Sequence, residues 1–93
     1  MSSIDITTSL SSLHPDWKLA ENNQMLSRHI ELNTFAEALA LVNKIGDLAE
    51  QQGHHPDINF GWGYVEIYLT THDIGQVSDK DITLAQAIDT IHL

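Results

Sequence analysis

The stretch Asn33–Gln52 constrains the fold most, because its apolar residues recur at helical spacing over most of its length. Phe35, Ala38, Leu39, Val42, Ile45 and Ala49 fall on one stripe of a helix. Thr34 and Glu37 have the capping-box spacing, in which each side chain serves a backbone donor left free at the helix start. Gly53 stands where a left-handed residue closes a helix. Such a helix is about 30 Å long, so its stripe needs a broad apolar surface to cover it.

Segments of period two supply that surface. Met25–Leu32 places Leu26, Ile30 and Leu32 on one side and Ser27, His29 and Glu31 on the other, with Arg28 interrupting the apolar side. Tyr64–Thr71 places Val65, Ile67 and Leu69 opposite Tyr64, Glu66, Tyr68 and Thr70, and His72 continues the polar series. This alternation is that of half-buried strands. Trp17–Ala20 and Asp57–Phe60 read as shorter strands, and Glu21–Gln24 as a hairpin turn. Gly61 and Gly63 flank Trp62 in a second turn, and Gly75–Val77 forms a loop. Ser78 caps a last helix with Asp81 at its third position; Ile82, Ala85, Ile88 and Ile91 give its buried face. At the other end, Ile4, Ile6, Leu10 and Leu13 suit a short helix that Pro15 would end.

The order is therefore α-β-β-α-β-β-α. Short turns between strands and helices with continuous stripes predict an α+β fold, an antiparallel sheet with helices packed on one face. With 93 residues and no repeat, residues 1–93 read as a single domain. An apolar fraction of 42% gives a thin core at this size, so a homo-oligomer is expected. The chain has no cysteine, which excludes disulfides and cysteine metal sites and suits a reducing compartment. No signal-peptide pattern and no membrane-spanning apolar run is present, and a cytoplasmic location is expected. A formal charge of −9 with only four fixed cations, Lys18, Arg28, Lys44 and Lys80, excludes a basic footprint for nucleic acid or an anionic membrane.

Six histidines are present, and their placement carries the chemistry. His54 follows the end of the long helix. His55 precedes Pro56, so its backbone is extended and its ring points away from that of His54. A tight hairpin brings His72 back toward the His-His-Pro turn. Asp81 lies in the first turn of the last helix, where the dipole favours an anion. Taken singly, His72 reads as a surface residue, Asp81 as a cap partner and Trp62 as a packing residue. Zinc would suit three imidazoles, but adjacent histidines are awkward ligands and no helical His-x-x-x-His pair exists. No nucleophile elbow and no glycine-rich phosphate loop appears.

Glu50-x3-His54-His55-Pro56, followed by Trp62, His72 and Asp81, resembles the signature of the pterin-4a-carbinolamine dehydratase family. The flanks agree: Trp17, the run Arg28, Ile30, Leu32, Phe35 and Ala38, the strand ending Leu69-Thr70-Thr71-His72, and Val77-Ser78-x-x-Asp81. The resemblance covers nearly everything after Leu13. Ile30 and Leu32 stand where aromatics are frequent, and Gln76-Val77 replaces a common Gly-Leu.

The resemblance implies a four-stranded antiparallel sheet with helices on one face, assembled into dimers or tetramers. It implies loss of water from 4a-hydroxytetrahydrobiopterin to give the quinonoid dihydropterin, recycling the cofactor of aromatic amino acid hydroxylases. No metal or other cofactor is required. The leaving hydroxide needs a proton and the adjacent ring nitrogen must lose one, and imidazole can do either at neutral pH. By this resemblance His54 and His72 exchange those protons and His55 helps bind the pterin. Asp81 orients His72 or holds the site together, Trp62 forms a wall, and Glu50 can bond a histidine across the helix end. Two other functions stay open: a protein-binding module of the same fold acting as a transcriptional coregulator, and a dehydratase for another pterin.

Overall fold

The computed structural model describes residues 9–92. Its strands are β1 (Lys18–Leu19), β2 (Leu26–Glu31), β3 (Asp57–Gly61) and β4 (Tyr64–Leu69); its helices are α1 (Phe35–Gln52) and α2 (Asp79–Asp89). The strands form one antiparallel four-stranded sheet in the order β1-β2-β4-β3. The expected fold class therefore holds. Of the expected N-terminal helix, Ser9 and Leu10 are helical, and residues 1–8 lie outside the described residues.

β1 and β2 form a hairpin joined by a 3-10 turn over Glu21–Asn23, where Asn22 and Asn23 take positive φ, the conformation that asparagine tolerates best after glycine. β4 sits in the middle, paired with β2 and with β3. Leu26 and Ile30 of β2 and Val65, Ile67 and Leu69 of β4 are buried on one face, against α1 and α2. Among the described residues no helix is long and apolar enough to cross a membrane.

α1 begins as its sequence predicts, with the Thr34 hydroxyl accepting from Glu37 N–H at 3.1 Å. The Glu37 carboxylate, however, accepts from Asn33 N–H at 2.9 Å, one residue earlier than a reciprocal capping box requires. Gly53 closes the helix at φ 66°. The buried residues of α1 are Ala38, Leu41, Ile45 and Ala49. Phe35 and Leu39 stay 47% and 42% exposed, so the expected stripe is displaced at its N-terminal end. α1 packs on β3 and β4 and beside α2, and it is Leu41 that joins the core in place of Phe35 and Leu39. α2 adds Leu84 to the expected buried face of Ile82, Ala85 and Ile88.

Arg28, the interruption in the β2 pattern, is buried and paired. Its Nη1 donates to Asp89 Oδ1 at 2.8 Å, and its guanidinium lies 5.9 Å from the Trp17 ring centroid. Trp17 Nε1–H and His14 N–H also donate to Asp89, at 2.7 and 2.8 Å. One carboxylate thus ties the N-terminal segment and β2 to the end of α2.

Candidate active site

The register of the β3–β4 hairpin assembles the site. Asp57 pairs with Tyr68 and Ile58 with Ile67, so the chain just before β3 runs beside the chain just after β4. Continued by the same register, His54 falls opposite Thr71. Thr71 bridges back to Gln76, donating its N–H to Gln76 O at 3.1 Å, and this turn delivers Ser78 and Asp81 to the same place.

Asp81 is fully buried. Its Oδ2 accepts from the Thr71 hydroxyl at 2.7 Å and from Ser78 N–H at 2.9 Å. Its Oδ1 lies 2.5 Å from His54 Nε2. The Ser78 contact completes the expected capping box of α2, while the rest of the carboxylate serves His54. His54 is 14% exposed; its Nδ1 makes no hydrogen bond among the described residues and is not buried. It borders a cleft of about 260 Å³ lined also by Gln52, Asp79, Lys80 and Thr83.

His55 points away from His54, as its place before Pro56 predicts, and its Nε2 is bonded to the Glu50 carboxylate across the helix end. Both members of that pair are well exposed. His72 directly follows Thr71 and is exposed; its side chain makes no hydrogen bond among the described residues. Asp81 is therefore the partner of His54 and not of His72. The reason is alternation: Thr71 continues the buried series Val65, Ile67 and Leu69 toward Asp81, and its neighbour must point the other way.

Trp62 is not brought to the histidines. It sits 74% exposed in the β3–β4 turn, beside Gly63 at φ 83°. Thr71 lies at the far end of β4, about 25 Å away at the rise of an extended chain. Three histidine or carboxylate side chains do not converge on a metal-sized point among the described residues. A second cleft, of about 430 Å³, lies at the opposite end of α1 between Glu31, Glu37, Lys44 and His92, and contains none of the expected site residues.

Neither Thr71 nor Ser78 stands out as a site residue in the sequence: Thr71 ends a strand pattern and Ser78 signals a helix cap. The available signal was a hydroxyl in line with Val65, Ile67 and Leu69: a polar group on a buried row needs a partner.

The family model described as pterin 4 alpha carbinolamine dehydratase matches residues 1–91. A protein of Chloroflexus aggregans provisionally named as such a dehydratase is 45% identical over 91 residues, covering 98% of this chain and 95% of its own. One of Alkaliphilus metalliredigens with the same provisional name is 43% identical over 89 residues, covering 96% and 79%. Among solved structures, a transcriptional coactivator/pterin dehydratase from Brucella melitensis superposes with a TM-score of 0.82 at 22% identity, covering 95% of this chain and 93% of that one. A pterin dehydratase-like RuBisCO assembly factor of the alpha-carboxysome superposes with a TM-score of 0.63 at 26% identity, covering 85% and 95%.

Proposed function

This chain belongs to the pterin-4a-carbinolamine dehydratase family, and on that premise we propose that it is a cytoplasmic hydro-lyase acting on 4a-hydroxytetrahydrobiopterin. The observation that carries the reading is the buried Asp81 carboxylate holding His54 by Nε2 while Nδ1 stays open to solvent. In the reaction the C4a–O bond breaks with its electron pair on oxygen, which takes a proton and leaves as water. The adjacent ring nitrogen loses its proton, and its electron pair closes the new double bond to C4a. His54 and His72 exchange these two protons, each positioned acid or base being worth roughly 10²–10⁴-fold. His55, held by Glu50, contacts the pterin. The quinonoid dihydropterin must then gain two electrons and two protons from a separate reductase-class reaction before it serves aromatic amino acid hydroxylases again as cofactor.

The test follows the ultraviolet decay of freshly made 4a-hydroxytetrahydropterin with EDTA present, comparing buffer, wild type and the His54→Ala/His72→Ala double variant. Fast decay with wild type and background decay with the double variant is expected. Wild-type decay no faster than buffer would remove the dehydratase reading.

A second reading, a protein-binding module, draws support from the exposed apolar residues Phe35, Leu39 and Trp62. The same residues support assembly into a homodimer or homotetramer. A stable complex with a helical partner that survives the double histidine variant would favour the module.

A further inference from the structure

The candidate site contains a hydroxyl relay whose proton directions are determined. Thr71 has one hydroxyl proton, and it goes to Asp81 Oδ2 at 2.7 Å. The 2.6 Å contact between Thr71 Oγ1 and Ser78 Oγ must then have Ser78 as donor. Ser78 Oγ in turn accepts from Lys80 N–H at 3.2 Å. With two donors already on Oδ2, Oδ1 of the buried carboxylate is left to accept from His54, so His54 Nε2 carries a hydrogen. In the neutral ring the lone pair is then on Nδ1, the nitrogen open to solvent.

We propose that Thr71 is a positioning residue for His54: with Ser78 N–H it occupies Asp81 Oδ2 and so fixes Oδ1 against His54 Nε2–H, leaving Nδ1 as the atom that exchanges a proton with the substrate. The catalytic part of this rests on the dehydratase reading; the His54–Asp81 bond does not. If Thr71 only fastened the 71–78 turn to the start of α2, its loss would lower stability and leave that bond unchanged.

The discriminating variants are Thr71→Val, which keeps the shape and removes the hydroxyl, and Thr71→Ser, which keeps the hydroxyl. Two readouts are taken: the Nε2–H proton resonance and ring ¹⁵N shifts of His54 by NMR, and kcat and KM for 4a-hydroxytetrahydropterin. In wild type the expected spectrum is that of the Nε2–H form. In Thr71→Val the carboxylate still only accepts, so the Nε2–H form persists, but its proton resonance is expected to move upfield as the bond loosens, with kcat down by about 10-fold, the order for one lost bond to a buried charge, and KM nearly unchanged. Thr71→Ser should return the resonance to its wild-type position and kcat to within about 2-fold of wild type. An Nδ1–H tautomer in wild type overturns the proposal, whatever happens to the variants. So does a folded Thr71→Val protein with an unchanged Nε2–H resonance and unchanged kcat. An inactive wild type whose Nε2–H resonance still moves in Thr71→Val supports the positioning role and removes the dehydratase reading alone.

Discussion

At Asp81 three donors converge on one buried carboxylate, so the outcome of a substitution depends on what replaces each acceptor. Asp81→Asn keeps an acceptor for Thr71 and Ser78 but turns an amide N–H₂ toward His54. His54 must then accept at Nε2 and carry its proton on Nδ1, the wrong tautomer for exchange at that atom. We predict a fall in turnover of about 10²-fold or more in a protein that still folds; a rate within a factor of two of wild type would contradict the assignment. Asp81→Ala leaves the buried donors without an acceptor and should lower stability by about 1–3 kcal/mol in urea unfolding. The Glu50–His55 pair is different, because both side chains are well exposed. Solvent screens it, and Glu50→Ala should cost under about 1 kcal/mol of stability.

Among the elements, α1 offers the sharpest contrast. Leu41 is 3% exposed and Leu39 is 42% exposed, although both lie in the same apolar-rich run. Leu41→Ala should cost about 2–5 kcal/mol, as core leucines do. Leu39→Ala should cost no more than about 0.5 kcal/mol, the range of surface substitutions. Equal losses in chemical denaturation would mean that α1 is rotated relative to the sheet. At the end of the helix, a Cβ on Gly53 would meet nothing within 4 Å, so Gly53→Ala tests the backbone alone. Its φ of 66° is left-handed, and a loss of about 1–2 kcal/mol is expected. The elements themselves were largely legible: caps, turns and alternation act over two to four residues, and the helix and strand bounds follow from them. The facing of α1 was not, because Phe35 and Leu39 satisfy helical spacing as well as Leu41 does. Which of them is covered depends on how the sheet and α2 pack around the helix.

For the whole molecule, the Arg28–Asp89 pair joins parts distant in sequence. Arg28→Ala removes a buried cation and leaves Asp89 with its bonds from Trp17 and His14. Breaking one side of a buried pair costs about 3–5 kcal/mol, and the two surviving donors place this case at the lower end of that range. A thermal shift within error of wild type would show that the clamp contributes little. The exposed Phe35, Leu39, Trp62, Tyr64 and Ile74 bear on assembly. Sedimentation equilibrium should report a mass of two or four chains at micromolar concentration; a monomer across that range would remove the homo-oligomer from the proposed function.

By its sequence alone the chain determined the order of its elements, its sheet type, its caps and the gathering of His54, His55, His72 and Asp81 in one signature. These rest on residue type and on short spacings, which the backbone turns directly into faces and ends. Only the tertiary structure decided which histidine Asp81 holds, that Thr71 and Ser78 complete its shell, and that Trp62 lies at the far end of β4. Those outcomes depend on the β3–β4 register and on the bridge from Thr71 to Gln76. A shift of one residue in that register would turn every side chain to the opposite face, and neither pairing is specified by spacing along the chain.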